Sequence, residues 1–139
     1  METIIVILFI LFFSMERIVS FGLSELNIRH LYKHKDQIPE FFRDSIDLET
    51  YKKSIAYTID KGKFGRLNSV FDTVVIIWLL FGGTLPWLEK WSDSYGLESI
   101  WTGIVFIAGL GVILVVLELP WELFSIFVIE EKYGFNKMT

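Results

Sequence analysis

Along three stretches the chain shows no alternation of apolar and polar positions. They are apolar on every helical face, the pattern of helices buried all round or crossing a membrane. The first covers residues 3–21, free of charge from Thr3 to Met15 and carrying Glu16 and Arg17 near its end. The second covers residues 67–88, interrupted only by Asp72 and Pro86. The third covers residues 100–129 and contains Glu118, Pro120 and Glu122. A hydrocarbon core of about 30 Å takes about 20 helical residues, so each stretch predicts a transmembrane helix. At about 45 Å the third is longer than one crossing needs, and Pro120 predicts a break or kink within it, because proline lacks the amide donor and clashes with the preceding turn. The first stretch has no basic start and no small-residue cleavage site, since Glu2 is its only early charge. It therefore predicts a retained anchor rather than a removed leader.

Residues 22–66 are polar but patterned. Leu23, Leu26, His30 and Lys33 continue the first helix to about His34. Pro39 suits the first turn of a short helix with Phe41, Phe42 and Ile46 on its apolar side. Asp47 predicts the cap of another helix carrying Leu48, Tyr51, Ile55 and Ile59 on one face, ended by Gly62 and Gly65 before the second span. This segment either lies on lipid headgroups or packs against a further domain; the pattern allows both. It holds nine of the thirteen basic residues, whereas Lys90 alone follows the second span before the third. The positive-inside rule then places residues 22–66 and the carboxyl terminus in the cytoplasm, with the amino terminus and residues 89–99 outside. Trp87, Trp91, Tyr95 and Trp101 gather at that outer boundary, where amphipathic rings prefer to sit.

Composition sharpens the class. Across 139 residues, 53% are hydrophobic, 17% aromatic and 22% charged, with mean hydropathy +0.49. The expected fold is all-α and integral to the membrane, one domain over residues 1–139 with three transmembrane helices and short cytoplasmic helices between the first two. The absence of cysteine excludes disulfide scaffolds, thiolate metal sites and cysteine nucleophiles. A net charge of −4 carries no nucleic-acid signature.

Candidate chemistry is sparse. His30 and His34 are one turn apart, but Leu31, Tyr32 and Lys33 stand where a zinc protease has His-Glu-x-x-His, so the water-activating glutamate is missing. Lys33 and Lys35 would repel a cation. Two exposed helix histidines are the better account, and no metal or catalytic residue is assigned to this chain. Glu16, Asp72, Glu118 and Glu122 carry more information, because carboxylates at membrane depth usually face a protein interior or a wet cavity. Glu118 and Glu122 share a helical face across Pro120, as a proton or cation relay or as part of an aqueous chamber wall. Arg17 can snorkel to the headgroups.

The final stretch, Leu119-Pro120-Trp121-Glu122-Leu123-Phe124-Ser125-Ile126-Phe127-Val128-Ile129-Glu130-Glu131-Lys132-Tyr133-Gly134-Phe135-Asn136-Lys137-Met138-Thr139, resembles a segment of the Ste24-type CAAX prenyl proteases, the M48 membrane zinc metalloproteases. Its family-motif positions are Pro120, Phe127, Glu130, Glu131, Lys132, Gly134, Phe135 and Asn136. Met15-Glu16, the Asp47–Lys61 stretch with its D-x-E-T-Y-x-K-S run, and Phe81-Gly82-Gly83 match further family pieces in order. The resemblance implies an amino-terminal membrane domain that forms part of a chamber and substrate path around zinc. The zinc ligands lie beyond the residues present here, so this chain alone is expected to be inactive. Glu118 and Glu122 depart from the family, whose positions beside this proline are more often uncharged. Membrane lipid is the expected surrounding, and the catalytic portion or a second copy the expected partner. A non-enzymatic adaptor or assembly subunit binding through residues 22–66 is the alternative, and a small proton-linked transporter built on Glu118 and Glu122 a third.

Overall fold

A computed structural model describes residues 2–40 and 46–136. Its elements are α1 (Glu2–His34), α2 (Leu48–Phe81), α3 (Thr84–Asp93) and α4 (Ser99–Phe124), the last continuing as a π-helical segment, Ser125–Glu130. No strand occurs among the described residues. Three helical runs, Thr3–His34, Leu48–Phe81 and Ser99–Glu130, are long and apolar enough to cross a bilayer. Burial points the same way: among the described residues only Ile28, Ile59, Leu79, Leu88, Ile129 and Tyr133 form an apolar buried set. Ile5, Ile18 and Ile107, by contrast, are each more than 60% exposed. A water-soluble fold does not leave helices bare in this way; lipid is the solvent that wets them.

The chain divides into two compact units, Met1–Arg66 and Leu67–Thr139, with the boundary inside α2. In the first unit α1 runs 33 residues, or about 50 Å, and so exceeds one hydrocarbon crossing by several turns. Those extra turns pair antiparallel with the start of α2. Ile28 and Ile59 are buried there, and a Cβ added to Gly62 would lie 3.3 Å from Ile28 Cδ1. Asp47 caps α2 as expected: its Oδ1 accepts the Thr50 amide at 2.8 Å, and its Oδ2 accepts the Thr50 hydroxyl at 2.7 Å. Gly62 and Gly65 do not end the helix. Interior glycine costs about 1 kcal/mol, and the 34-residue helix absorbs that by feeding directly into an apolar run, while Gly62 supplies the close approach to Ile28. The short helix expected at Pro39–Ile46 falls largely on residues 41–45, outside those described.

In the second unit the span stops at Phe81 rather than at Leu88. The Gly82 amide still bonds to the Trp78 carbonyl at 2.8 Å, but a Cβ at Gly82 would come within 2.4 Å of that oxygen. Gly83 follows with φ +79°, a conformation open to glycine. After this break Thr84 starts α3, with Pro86 in its first turn, where no helical amide bond is required. The first part of the expected outer loop, residues 89–93, is therefore helix. Thr84, Leu88 and Ser92 are the buried face of α3. Gly109 of α4 lets it dock: a Cβ there would lie 3.0 Å from Leu88 Cδ1 and 3.2 Å from Trp91 Cζ3.

α4 runs through Pro120 without the expected break. In lipid no water competes for the backbone, so the remaining i→i−4 bonds hold the helix across the missing donor. The departure from α geometry comes one turn later, as the π segment Ser125–Glu130.

Gly82→Ala is expected to lower the thermal midpoint of the detergent-solubilised chain clearly. Gly83→Ala should cost about 1–2 kcal/mol for a non-glycine residue at positive φ. Gly111→Ala, where a Cβ meets nothing within 4 Å, should be neutral or slightly stabilising. Fluorescence-detected thermal unfolding of the three variants measures the difference.

Candidate functional site

The four carboxylates fall in different settings. Glu16 is exposed and accepts from its neighbour Arg17 Nε, and the Arg17 guanidinium also lies 5.4 Å from the Phe13 ring centre. Asp72 is half-buried on α2, next in sequence to Phe71, whose ring packs 5.0 Å from that of Trp121. Glu118 and Glu122 are exposed, one turn apart on α4, on either side of Pro120. Neither side chain makes a hydrogen bond or ion pair among the described residues. The structure thus puts Glu118 and Glu122 on a shared face, as the spacing predicts.

The carboxyl-terminal motif is a helix terminator. The Glu130 carbonyl accepts the amides of Tyr133 at 3.3 Å, Phe135 at 2.9 Å and Asn136 at 3.3 Å, and the Gly134 amide bonds to the Glu131 carbonyl at 2.9 Å. Gly134 has φ +68°, the left-handed closing residue of a helix C-terminus. Ile129 and Tyr133 are buried beneath it, and the Lys132 ammonium lies 5.1 Å from the Tyr133 ring centre. Pro120 and Phe127 lie in the helix upstream of this cap. The run Glu130–Asn136 therefore fixes where the third span ends.

Between α1 and α2, charges hold the projecting hairpin. Glu25 accepts from Arg29 at 2.7 Å and also from Arg66. Lys63 Nζ donates to Tyr32 Oη at 2.7 Å, and Lys52 pairs with Asp36 at 2.9 Å. The Lys52 ammonium holds the Asp36 carboxyl below its ordinary range. The Thr50 amide, followed by its hydroxyl, does the same for Asp47. The long-range pairs of this hairpin, Asp36–Lys52, Tyr32–Lys63 and Glu25–Arg66, were invisible to pattern reading; only the surplus of charges in a segment already expected to be helical hinted at them.

The His30 and His34 rings lie tilted by 33° with centres 4.2 Å apart, and His34 Nδ1 lies 2.9 Å from the His30 carbonyl. No group of three or more His, Cys, Asp or Glu able to hold a metal forms among the described residues. The described residues do not assemble the three protein ligands and open position that a catalytic zinc takes. No chemical step through zinc follows from them.

Bare apolar helices with charges gathered at their ends define an integral, multi-pass α-helical membrane protein. Comparison with known proteins narrows that class. The family model described as CAAX prenyl protease N-terminal, five membrane helices, matches residues 27–139, and the chain belongs to this M48 family. The Caenorhabditis elegans CAAX prenyl protease 1 homolog is 34% identical over 82% of this chain and 25% of its own length. The human homolog is 34% identical over 80% of this chain and 25% of its own length. The crystal structure of S. mikatae Ste24p has the same fold over 88% of this chain and 30% of that one, at 24% identity and TM-score 0.71. This chain thus spans about a quarter of the curated relatives it matches.

The Asp47 cap should respond to acid in a defined direction. Its lowered pKa means that the cap contributes in full above the unfolded carboxylate value, near 3.9, and is lost as pH falls through the lower folded value. Hydrogen exchange at the first amides of α2 should stay protected at neutral pH and accelerate beyond its intrinsic rate only in that acidic window. In Asp47→Asn the step should vanish.

Proposed function

We propose that this chain serves as the amino-terminal membrane part of a CAAX-prenyl-protease-like zinc metalloendopeptidase, lining part of the chamber and substrate path around a zinc site held by other residues. The observation that carries this reading is the match of residues 27–139 to the CAAX prenyl protease N-terminal family; the pair Glu118 and Glu122, two carboxylates on a shared face of a membrane helix whose side chains have no partner among the described residues, adds support for a wet wall. Bare carboxylates against lipid are costly; a water-filled interior completed by further helices removes that cost. Asp72, half-buried on the other span of the same unit, fits such a wall too. As the relatives are named prenyl proteases, the substrate class is a protein with a prenylated carboxyl terminus.

In this reading the amino terminus and α3 face outward, and residues 22–66 and the carboxyl terminus face the cytoplasm, as the nine basic residues of residues 22–66 favour. The Glu25–Arg66 and Lys63–Tyr32 contacts give that segment a fixed shape and leave Leu23, Leu26 and Arg29 turned outward. Such a surface suits a catalytic portion docking from the cytoplasm; it would equally serve an adaptor. Within this chain the residues position and enclose. None of them activates water.

The test pairs the purified chain with a separately produced portion of a related protease carrying His-Glu-x-x-His. Cleavage of a prenylated peptide is expected only when both are present. Zinc-dependent turnover by this chain alone, or failure of the two to associate, would overturn the proposal. Because the chain has no cysteine, single-cysteine variants give a second readout in the associated form. Glu118→Cys and Glu122→Cys should react with a charged thiol reagent about as fast as exposed thiols do, whereas Ile107→Cys should be protected by lipid.

A further inference from the structure

Inside the second unit one polar atom is left over. Asn68 Oδ1, on α2, is fully buried and accepts no hydrogen bond, and the rest of that side chain bonds to nothing among the described residues. A buried acceptor without a donor is destabilising, and folded proteins pair nearly all such atoms with protein or with ordered water. α4 carries a second unpaired group. The Ser125 hydroxyl, half-buried at the start of the π segment, makes no hydrogen bond among the described residues. Two other helix hydroxyls of this chain close on the carbonyl four residues back, Thr58 on Ser54 at 2.9 Å and Thr73 on Ser69 at 2.8 Å. Ser125 does not.

Helix geometry brings the two groups together. From Phe71, α2 runs 10 residues to Phe81 and α3 adds 10 more, whereas α4 returns 22 residues from Ser99 to Trp121. That is about 30 Å out and about 33 Å back, so the two spans run antiparallel and the Phe71 and Trp121 rings, 5.0 Å apart, meet at one height. Asn68 stands three residues before Phe71 and Ser125 four after Trp121. On opposed helices those are shifts in the same direction, of about 4.5 and 6 Å. At about 100° per residue, Asn68 lies about 60° round α2 from Phe71, and Ser125 about 40° round α4 from Trp121. In an antiparallel pair both turns open towards the same side of the ring contact. The buried acceptor and the hydroxyl thus border one crevice between the spans, flanked on that side by Asp72, one turn after Asn68, and Glu122, one turn before Ser125.

We propose that Asn68 and Ser125 hold one ordered water between α2 and α4, the water donating to Asn68 Oδ1 and accepting the Ser125 hydroxyl. A water at membrane depth needs polar partners on more than one side, since a purely apolar gap stays dry. Asn68 and Ser125 supply an acceptor and a donor from opposite helices, at the one height where both are unpaired. A bridging water is nearly as favourable as a direct bond and spans a gap that the two side chains do not close themselves. The π segment begins at the same residue, and irregular helix turns accompany inserted groups of this kind. The inference concerns this unit alone and stands independently of the proposed protease role.

The test uses the full chain in detergent and exploits its lack of cysteine. In Ser125→Cys the S–H stretch is the sole thiol band in the infrared spectrum, and its frequency falls when the thiol donates a hydrogen bond. The band is expected below that of Ile107→Cys, whose position is 69% exposed on the apolar face of α4, and to exchange to S–D in D2O while the protein stays folded. Adding Asn68→Leu should return it to the Ile107→Cys frequency. Thermal unfolding gives a second readout: Asn68→Leu and Ser125→Ala should each lower the midpoint by about 4 °C, and together by no more than the larger single loss. A thiol band that Asn68→Leu does not move would overturn the proposal. So would a lowered band that fails to exchange, which means a direct bond without water, or a midpoint that rises in Asn68→Leu, which means an acceptor that had no donor to lose.

Discussion

Backbone amides and carbonyls have no water to bond with inside a hydrocarbon layer, and every local feature of this chain answers to that constraint. It makes the helices long, since each unpaired amide at membrane depth costs several kcal/mol. It lets α4 pass Pro120, because stopping there would expose a further set of donors and acceptors. It also explains why glycine disrupts the chain in one place and not in another. Gly62 and Gly65 lie in a helix that continues, whereas Gly82 and Gly83 sit where Tyr95, Trp87 and Trp91 mark a headgroup region in which water can satisfy the released groups.

Seen in that light, the charges act as end markers. Arg66 bonds to Glu25 where the second span begins. At the far end of the third span the Glu130 carbonyl gathers three amides and Gly134 reverses the chain. The family motif at the carboxyl end is thereby explained as backbone geometry before any chemistry is invoked. Glycine is required at Gly134 by its positive φ, and Tyr133 is required by burial. Glu130 contributes through its carbonyl oxygen, which any residue would supply. The cap therefore does not call for the Glu130 side chain itself.

What the sequence made legible follows from the range of each interaction. Apolar runs and the Asp47 cap are local, so the three spans and the start of α2 could be read directly, as could the shared face of Glu118 and Glu122. The end of the second span could not. Its residues 82–88 are apolar enough to continue the run, and hydropathy does not register that Gly82 would collide with the Trp78 carbonyl if it carried a side chain. The signal available was the sequence Gly-Gly-Thr-Leu-Pro, a helix breaker followed by a proline suited to a first turn. Docking of α3 on Gly109 was out of reach because it joins residues about 20 positions apart through the absence of a side chain, which no periodicity encodes. Glu25–Arg66 was out of reach for the same reason of separation.

The unpartnered acids and the unpartnered cation of the second unit impose different demands. Glu118 and Glu122 lie well inside the span, where a short side chain cannot reach headgroups, so ionised carboxylates there need water or a counter-charge brought by other protein. Lys90 lies on a short helix at the end of the span, where a long flexible side chain already reaches the polar layer. Its ammonium can be satisfied by lipid phosphate, with no further protein required. The two cases therefore divide the surface of one unit by solvent. In the proposed reading, the face bearing Glu118 and Glu122 is the one turned to an aqueous or protein neighbour. A further helix placed over that face would relieve both carboxylates.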